Sequence, residues 1–279
     1  MAVTTELKAL VDQLPDPDGK DMYTENLDKE AIKKAVAEIY EGGRENVLGL
    51  IEMLGLPGSE QDVKPRYALR CLANHVLAVR DEGARREFSD ALATALLGDR
   101  SNHVKSFLCE ELQWAGGEEA VPTLGILLLD EELVEPATMA LLAIRRGAAA
   151  EFRTALPRAH GKCRLNIIQA LGDVKDTESI DSLISALRDP DREIRLAAGW
   201  GLARIGDAGS VDHLINEADT RTGWERIQAT KHCLVLAEQL SSVGKQDLAK
   251  RIYTHFRDTR TAAAEQYVRE AAERALRTG

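Results

Sequence analysis

The sequence predicts an all-α fold, an α-solenoid of about seven antiparallel helix pairs, and three observations carry that prediction. Alanine and leucine number 38 and 36 in a chain of 279 residues, while aromatic residues make up only 4%; both abundant residues are strong helix formers. Residues 170–183 and 201–214 superpose at a shift of 31 residues, a period typical of repeat architectures. Within 194–205, apolar or small residues fall at 194, 197, 198, 201, 202 and 205, the i, i+3, i+4, i+7 spacing of a helix buried along one face. A helix pair of this kind cannot hide its apolar face alone, so neighbouring pairs must stack around a shared core.

Taken in chain order, residues 1–26 read as an acidic N-terminal cap or a loosely ordered segment, because Leu14 to Asp21 is rich in Pro, Asp and Gly, a turn-forming composition. Residues 27–279 read as one solenoid, with 216–279 forming irregular C-terminal helix pairs. First helices are expected to open at Phe88, Val121, Phe152, Ile180 and Val211, at steps of 33, 31, 28 and 31 residues. Partner helices are expected to open at Val63, Val104, Val134, Cys163, Ile194, Ile227 and Val268. Pro65, Pro122 and Pro136 then sit in first turns, where a missing N–H costs little.

The run Leu187-Arg-Asp189-Pro190-Asp191-Arg-Glu-Ile194-Arg195-Leu-Ala-Ala198, followed by Ile205-Gly206-Asp207, closely resembles the HEAT-like repeat of the phycobilisome-lyase (PBS lyase) type. The resemblance is strongest over 165–215 and extends in weaker form over about 85–215. It implies a right-handed, armadillo-like superhelix whose second helices line a concave face. It also implies that the basic residue after each opener, as in Lys64, Lys105, Arg164, Arg195 and Arg269, reaches the acidic turn of a neighbouring repeat, with Asp189 or Asp191 in that role. Residues 236–253 look instead like a tetratricopeptide helix pair and are read as an irregular C-terminal pair.

Several function classes are disfavoured. A net charge of -10 repels polyanions, so neither nucleic acid nor an anionic membrane is an expected partner. Cys71, Cys109, Cys163 and Cys233 are too far apart for a CxxC motif and read as reduced thiols. The opening Met1 to Lys8 carries charge where a signal peptide needs its apolar core, so cytoplasmic residence is expected. The six histidines never fall at i, i+4, which leaves zinc without an obvious site. Deoxyhypusine hydroxylases, similar in architecture, hold two irons through His-Glu pairs, yet the matching positions here are Ser106-Phe107, Pro136-Ala137, Leu165-Asn166 and Leu196-Ala197. Neither a metal nor a cofactor is expected, and no catalytic residue is assigned. Cys71 and His75 share a helical face, as a nucleophilic pair would, but Cys71 occupies a core slot of the repeat.

Positions two, six and ten residues after each opener should face the concavity. They read Ser106, Glu110, Trp114; Pro136, Ala140, Ile144; Leu165, Gln169, Asp173; and Leu196, Trp200, Arg204. This is an apolar ridge ending in tryptophans, the composition of a binding surface. The acidic block 106–144, with eight carboxylates and no Lys or Arg, suits a basic partner. The expected function is therefore a non-enzymatic scaffold holding a protein or peptide, with helix-in-groove docking on the concave face. Trp114, Ile144, Leu165, Leu196 and Trp200 would supply contact area, while Glu110, Gln169 and Arg204 set orientation. The alternative carried by the resemblance is a bilin lyase or lyase-like chaperone acting on a tetrapyrrole-carrying client.

Overall fold

Stacking of helix pairs dominates the computed structural model, which describes residues 3–16, 27–55 and 62–278. Sixteen α-helices and no strand occur among the described residues. They divide into two compact units, 1–159 and 160–279.

The first unit contains α1 (Thr5–Asp12), α2 (Lys29–Glu41), α3 (Gly43–Glu52), α4 (Val63–Val79), α5 (Glu82–Leu96), α6 (Asn102–Ala115), α7 (Val121–Leu127), α8 (Val134–Ile144) and α9 (Ala148–Ala155). Helices α2, α4, α6 and α8 pack in succession as one layer, and α3, α5, α7 and α9 as the other. Between the layers lie side chains such as Leu72, Phe88, Leu92, Leu108, Leu124 and Phe152, all nearly inaccessible to solvent. Part of the expected cap is ordered: Thr4 caps α1 by accepting from the Leu7 N–H at 3.1 Å, and Leu7, Val11 and Leu14 are buried. Residues 1–2 and 17–26 of that cap lie outside the described residues.

The second unit contains α10 (Gly161–Asp173), α11 (Ile180–Ala186), α12 (Arg192–Ile205), α13 (Val211–Thr220), α14 (Gly223–Ser242), α15 (Gln246–Thr259) and α16 (Gln266–Thr278). Here α10, α12 and α14 stack as second helices, α11 packs on α12, α13 on α14, and α15 on α16. The 236–253 stretch is the end of α14 and the start of α15, which also pack together. Turns are fixed locally. Asp191 caps α12 by accepting from the Glu193 N–H at 2.8 Å, and Gly206 closes it at φ 77°, a left-handed conformation that glycine adopts without a Cβ clash.

Val63, Val121, Val134, Ile180 and Val211 do open helices. Phe88, Phe152 and Ile227 instead fall well inside α5, α9 and α14. The two phenylalanines are core residues, 2% and 0% exposed, so at these two positions the apolar spacing tracked burial and not a helix start.

Helices α10 and α12 approach unusually closely. A Cβ on Gly172 would lie 2.7 Å from the Gly201 Cα and 3.0 Å from the Trp200 ring, whereas a Cβ on Gly201 would find its nearest neighbour at 3.3 Å. Gly172→Ala is therefore expected to destabilise the protein by about 1–3 kcal/mol through overpacking, despite its better helix propensity. Gly201→Ala should be close to neutral; urea unfolding of both variants checks the asymmetry.

Candidate functional site

The candidate site belongs to the second unit and is built on the stacked faces of α10, α12 and α14. It is a cleft of about 380 Å³. From α10 come Gln169 and Asp173, one turn apart, and from α12 come Glu193, Leu196, Ala197 and Trp200, at i, i+3, i+4 and i+7. Helix α14 supplies Trp224, Gln228 and His232 at successive i+4 steps, so each helix offers one continuous stripe.

Close helix packing positions the aromatic wall. The Trp200 ring rests on Gly172, and the Arg204 guanidinium lies 4.6 Å from the Trp200 ring centroid, a cation–π contact. Arg204 also pairs with Asp173 at 3.3 Å, and Arg192 pairs with Glu193 at 2.8 Å. Trp224 is 58% exposed. The Gln169 and Gln228 side chains hydrogen-bond to no described residue.

His232 is 8% exposed and lies against the backbone of Gly199, whose Cβ would meet Nδ1 at 2.8 Å. Burial, with the neighbouring Lys231 charge adding to it, pushes its pKa down to about 4. The imidazole is therefore neutral at pH 7, with one donor and one acceptor.

A ladder of arginines holds the three second helices in register. Arg164 pairs with Asp189 at 2.9 Å, Arg195 with Glu225 at 2.6 Å and Arg226 with Glu265 at 2.7 Å. Arg195 donates to the carbonyls of Asp189 and Pro190 as well, and Arg226 to those of Ala218 and Asp219. Lys64 follows the same habit in the first unit, meeting Asp16 at 3.1 Å and the Asp12 carbonyl at 3.0 Å. These residues are engaged in joining helices rather than forming a free basic stripe.

Of the residues read as site residues, Gln169, Leu196 and Trp200 line this cleft, Arg204 stands on Trp200, and Leu165 is half-buried one turn before Gln169. Glu110, Trp114 and Ile144 belong to the first unit. There Glu110 is exposed and Trp114 is 56% exposed, with the Arg70 guanidinium 5.2 Å from its ring centroid. Ile144 is half-buried over Gly116. Ala140, placed on the ridge by spacing, is fully buried, and Met139 is the exposed residue, at 50%. Helix α8 is apolar on most sides, so its periodicity cannot say which side faces water.

Trp224, Gln228 and His232 were not anticipated. Counting from Ile227 places the surface positions at Ala229, Cys233 and Ala237, which are buried. Two steps of 31 from Cys163 reach Ile194 and then Glu225, and Glu225 is the true counterpart of the apolar openers. From Glu225 the same spacing reaches Ile227, Lys231 and Val235, which are exposed, while Trp224, Gln228 and His232 form the neighbouring stripe of α14, which the spacing does not sample.

Nucleophile chemistry finds little support. Burial holds the Cys71 thiol above its ordinary pKa, pushes Cys109 up to about 12 and raises Cys233 further, which keeps these thiols protonated and unreactive. The His75 ring packs against Tyr40 with centroids 4.9 Å apart. Among the described residues no cluster of three or more His, Cys, Asp or Glu side chains is arranged to hold a metal ion, and no helix is long and apolar enough to cross a membrane.

The fold is that of an α-solenoid, built from stacked helix pairs. Residues 149–234 match the sequence family described as HEAT repeats. No curated protein matches the chain. Among solved structures, an engineered protein is 19% identical, with 97% of this chain and 77% of that one covered, at a TM-score of 0.48. A designed armadillo repeat protein in complex with the peptide (KR)4 is 20% identical over 97% of this chain and 99% of its own, at a TM-score of 0.28. A computationally designed armadillo repeat protein for modular peptide recognition is 20% identical over 88% and 96%, at 0.29. At these TM-scores the likenesses carry no argument about this chain.

Two energetic expectations follow from buried titratable groups. Glu111 is 0% exposed and is answered by Arg70 through hydrogen bonds of 2.9 and 3.1 Å; burial raises its pKa even so. Arg70→Ala should cost about 3 kcal/mol, the low end for orphaning a buried charge because Arg70 is itself partly exposed, and adding Glu111→Leu should recover most of it in chemical denaturation. For His232, the unfolded state takes up a proton near 6.5 and the folded state only near 4, so its stabilising contribution is lost as pH falls between those values. Wild type should lose about 3 kcal/mol more than His232→Gln between pH 7 and pH 4, read from unfolding at each pH.

Proposed function

We propose that this protein is a non-enzymatic scaffold that binds a protein or peptide segment, and that the second-helix face of residues 160–279 is the binding surface. The observation that carries the reading is the cleft itself, where Trp200 and Trp224, Leu196 and two unpaired glutamine amides converge from three successive helices. Aromatic side chains with apolar bodies and accessible edges are the residues most enriched at binding hot spots, and amides supply orientation without charge. Trp224, more than half exposed, has no role in the core that would explain its size.

Trp114 and Glu110 on the first unit supply a second exposed patch with an aromatic anchor. The likeness of residues 187–198 to the phycobilisome-lyase type of repeat is compatible with this reading. The residues that carry it, among them Asp189, Asp191 and Arg195, cap and brace helices.

Trp224→Ala should lower partner affinity about thirtyfold or more while leaving thermal stability within about 0.5 kcal/mol of wild type. Trp200→Glu is the poorer test, because that ring also supports the α10 contact. Affinity capture from the native lysate with wild type and Trp224→Ala in parallel, alongside circular dichroism of both, reads the effect. A partner retained equally by the two proteins removes this face from consideration.

A further inference from the structure

The chemistry of the cleft also defines the backbone state of its occupant. We infer that the cleft binds a partner segment in extended conformation, uncharged at its anchor, with an apolar side chain lodged between Trp200 and Trp224 and the backbone of the segment hydrogen-bonded by Gln169 and Gln228. This rests on the reading of the face as a peptide-binding surface and adds the conformation and charge of the ligand.

Gln169 and Gln228 come from α10 and α14, on either side of the α12 stripe, and neither amide is used by a described residue. A carboxamide offers two N–H donors and one carbonyl acceptor, the complement of a peptide group. A helical ligand spends its peptide groups on itself; an extended one presents them. Docking of an amphipathic helix would therefore leave both amides desolvated and unpaired, which is unfavourable.

His232 is a second, independent pointer. Its side chain is more than nine-tenths buried, borders the cleft and hydrogen-bonds to no described residue. Its ring nitrogens are not among the fully buried unpartnered polar atoms of the described residues, so solvent reaches them, and a polar atom of the ligand would take the place of that water.

Charge completes the description. Both carboxylates in the lining are answered by this chain's own guanidiniums, Asp173 by Arg204 and Glu193 by Arg192. With no uncompensated charge in the lining, the anchor it fits is neutral. A volume of about 380 Å³ lies in the lower part of the range of binding pockets and suits one large side chain with its flanking backbone.

The test is selection of random peptides about twelve residues long, displayed on phage, against the full chain, followed by affinity measurement on synthetic copies of those recovered. The expected consensus has an apolar anchor without helical i, i+4 spacing. N-methylation of the backbone beside the anchor should weaken binding about tenfold or more, as should the double variant Gln169→Ala, Gln228→Ala, whose melting should match wild type. Raising NaCl from about 0.05 to about 0.5 M should change affinity by less than about twofold. A Lys- or Arg-rich consensus with steep salt dependence, or a helical consensus indifferent to N-methylation, overturns the inference; if such binding is still lost in Trp224→Ala, the assignment of the face survives. Peptides that bind Trp224→Ala as well as wild type, or no recovered peptide at all, overturn both.

Discussion

The contact between the backbones of Gly172 and Gly201 governs the geometry of the second unit. Where two helices touch through glycines, the interaxial distance shrinks toward its lower limit, and side chains flanking the contact are turned outward. Trp200 is the side chain displaced in this way: its ring covers Gly172 instead of entering the core. Gly199 repeats the device on the other side of α12, leaving room for His232 of α14. Three glycines thus create both the tight stacking of α10, α12 and α14 and the cleft on their surface.

Polar and apolar interactions divide the work unequally. Burial of apolar side chains such as Leu183, Leu202, Leu214 and Leu236, each no more than 1% exposed, drives the stacking. The arginine ladder adds little energy per pair, because each partner retains some solvent, but it fixes how far one helix slides along the next. Arg260 is the extreme case. It is 2% exposed and lies over Phe256 at 4.8 Å, and it reaches Asp219 at 2.9 Å and the Ala218 carbonyl at 3.1 Å, tying the end of α15 to the end of α13. Asp219 meets His255 as well, at 3.0 Å.

The fold was legible because a helical repeat writes the same apolar spacing many times, and one clear copy at 194–205 interprets its weaker neighbours. Half of the cleft was legible for the same reason: Gln169, Leu196 and Trp200 sit where the spacing of α10 and α12 places them. The rest lies beside the two, six and ten spacing: Glu193 and Ala197 stand at −1 and +3 from Ile194, and Trp224, Gln228 and His232 at −1, +3 and +7 from Glu225, a stripe that the spacing rule does not sample. Apolar periodicity reports which residues avoid water, and it falls silent where an ion pair takes over that position. It is equally silent in α8, where too many residues are apolar for any one side to stand out. The division of the chain into two units has no signature of this kind, since contact density between distant residues is not written in local spacing.

The ladder carries one more consequence. Its arginines recur every 31 residues, at 164, 195 and 226, but their carboxylates do not: Asp189 precedes α12, Glu225 lies in the first turn of α14, and Glu265 stands just before α16. A guanidinium on a long side chain pairs with a carboxylate at any of these places, so the joints between helices are released from the strict period that the helices obey. The brace therefore asks only that some acceptor lie within reach of the guanidinium, and the period of the helices need not be repeated by the turns between them.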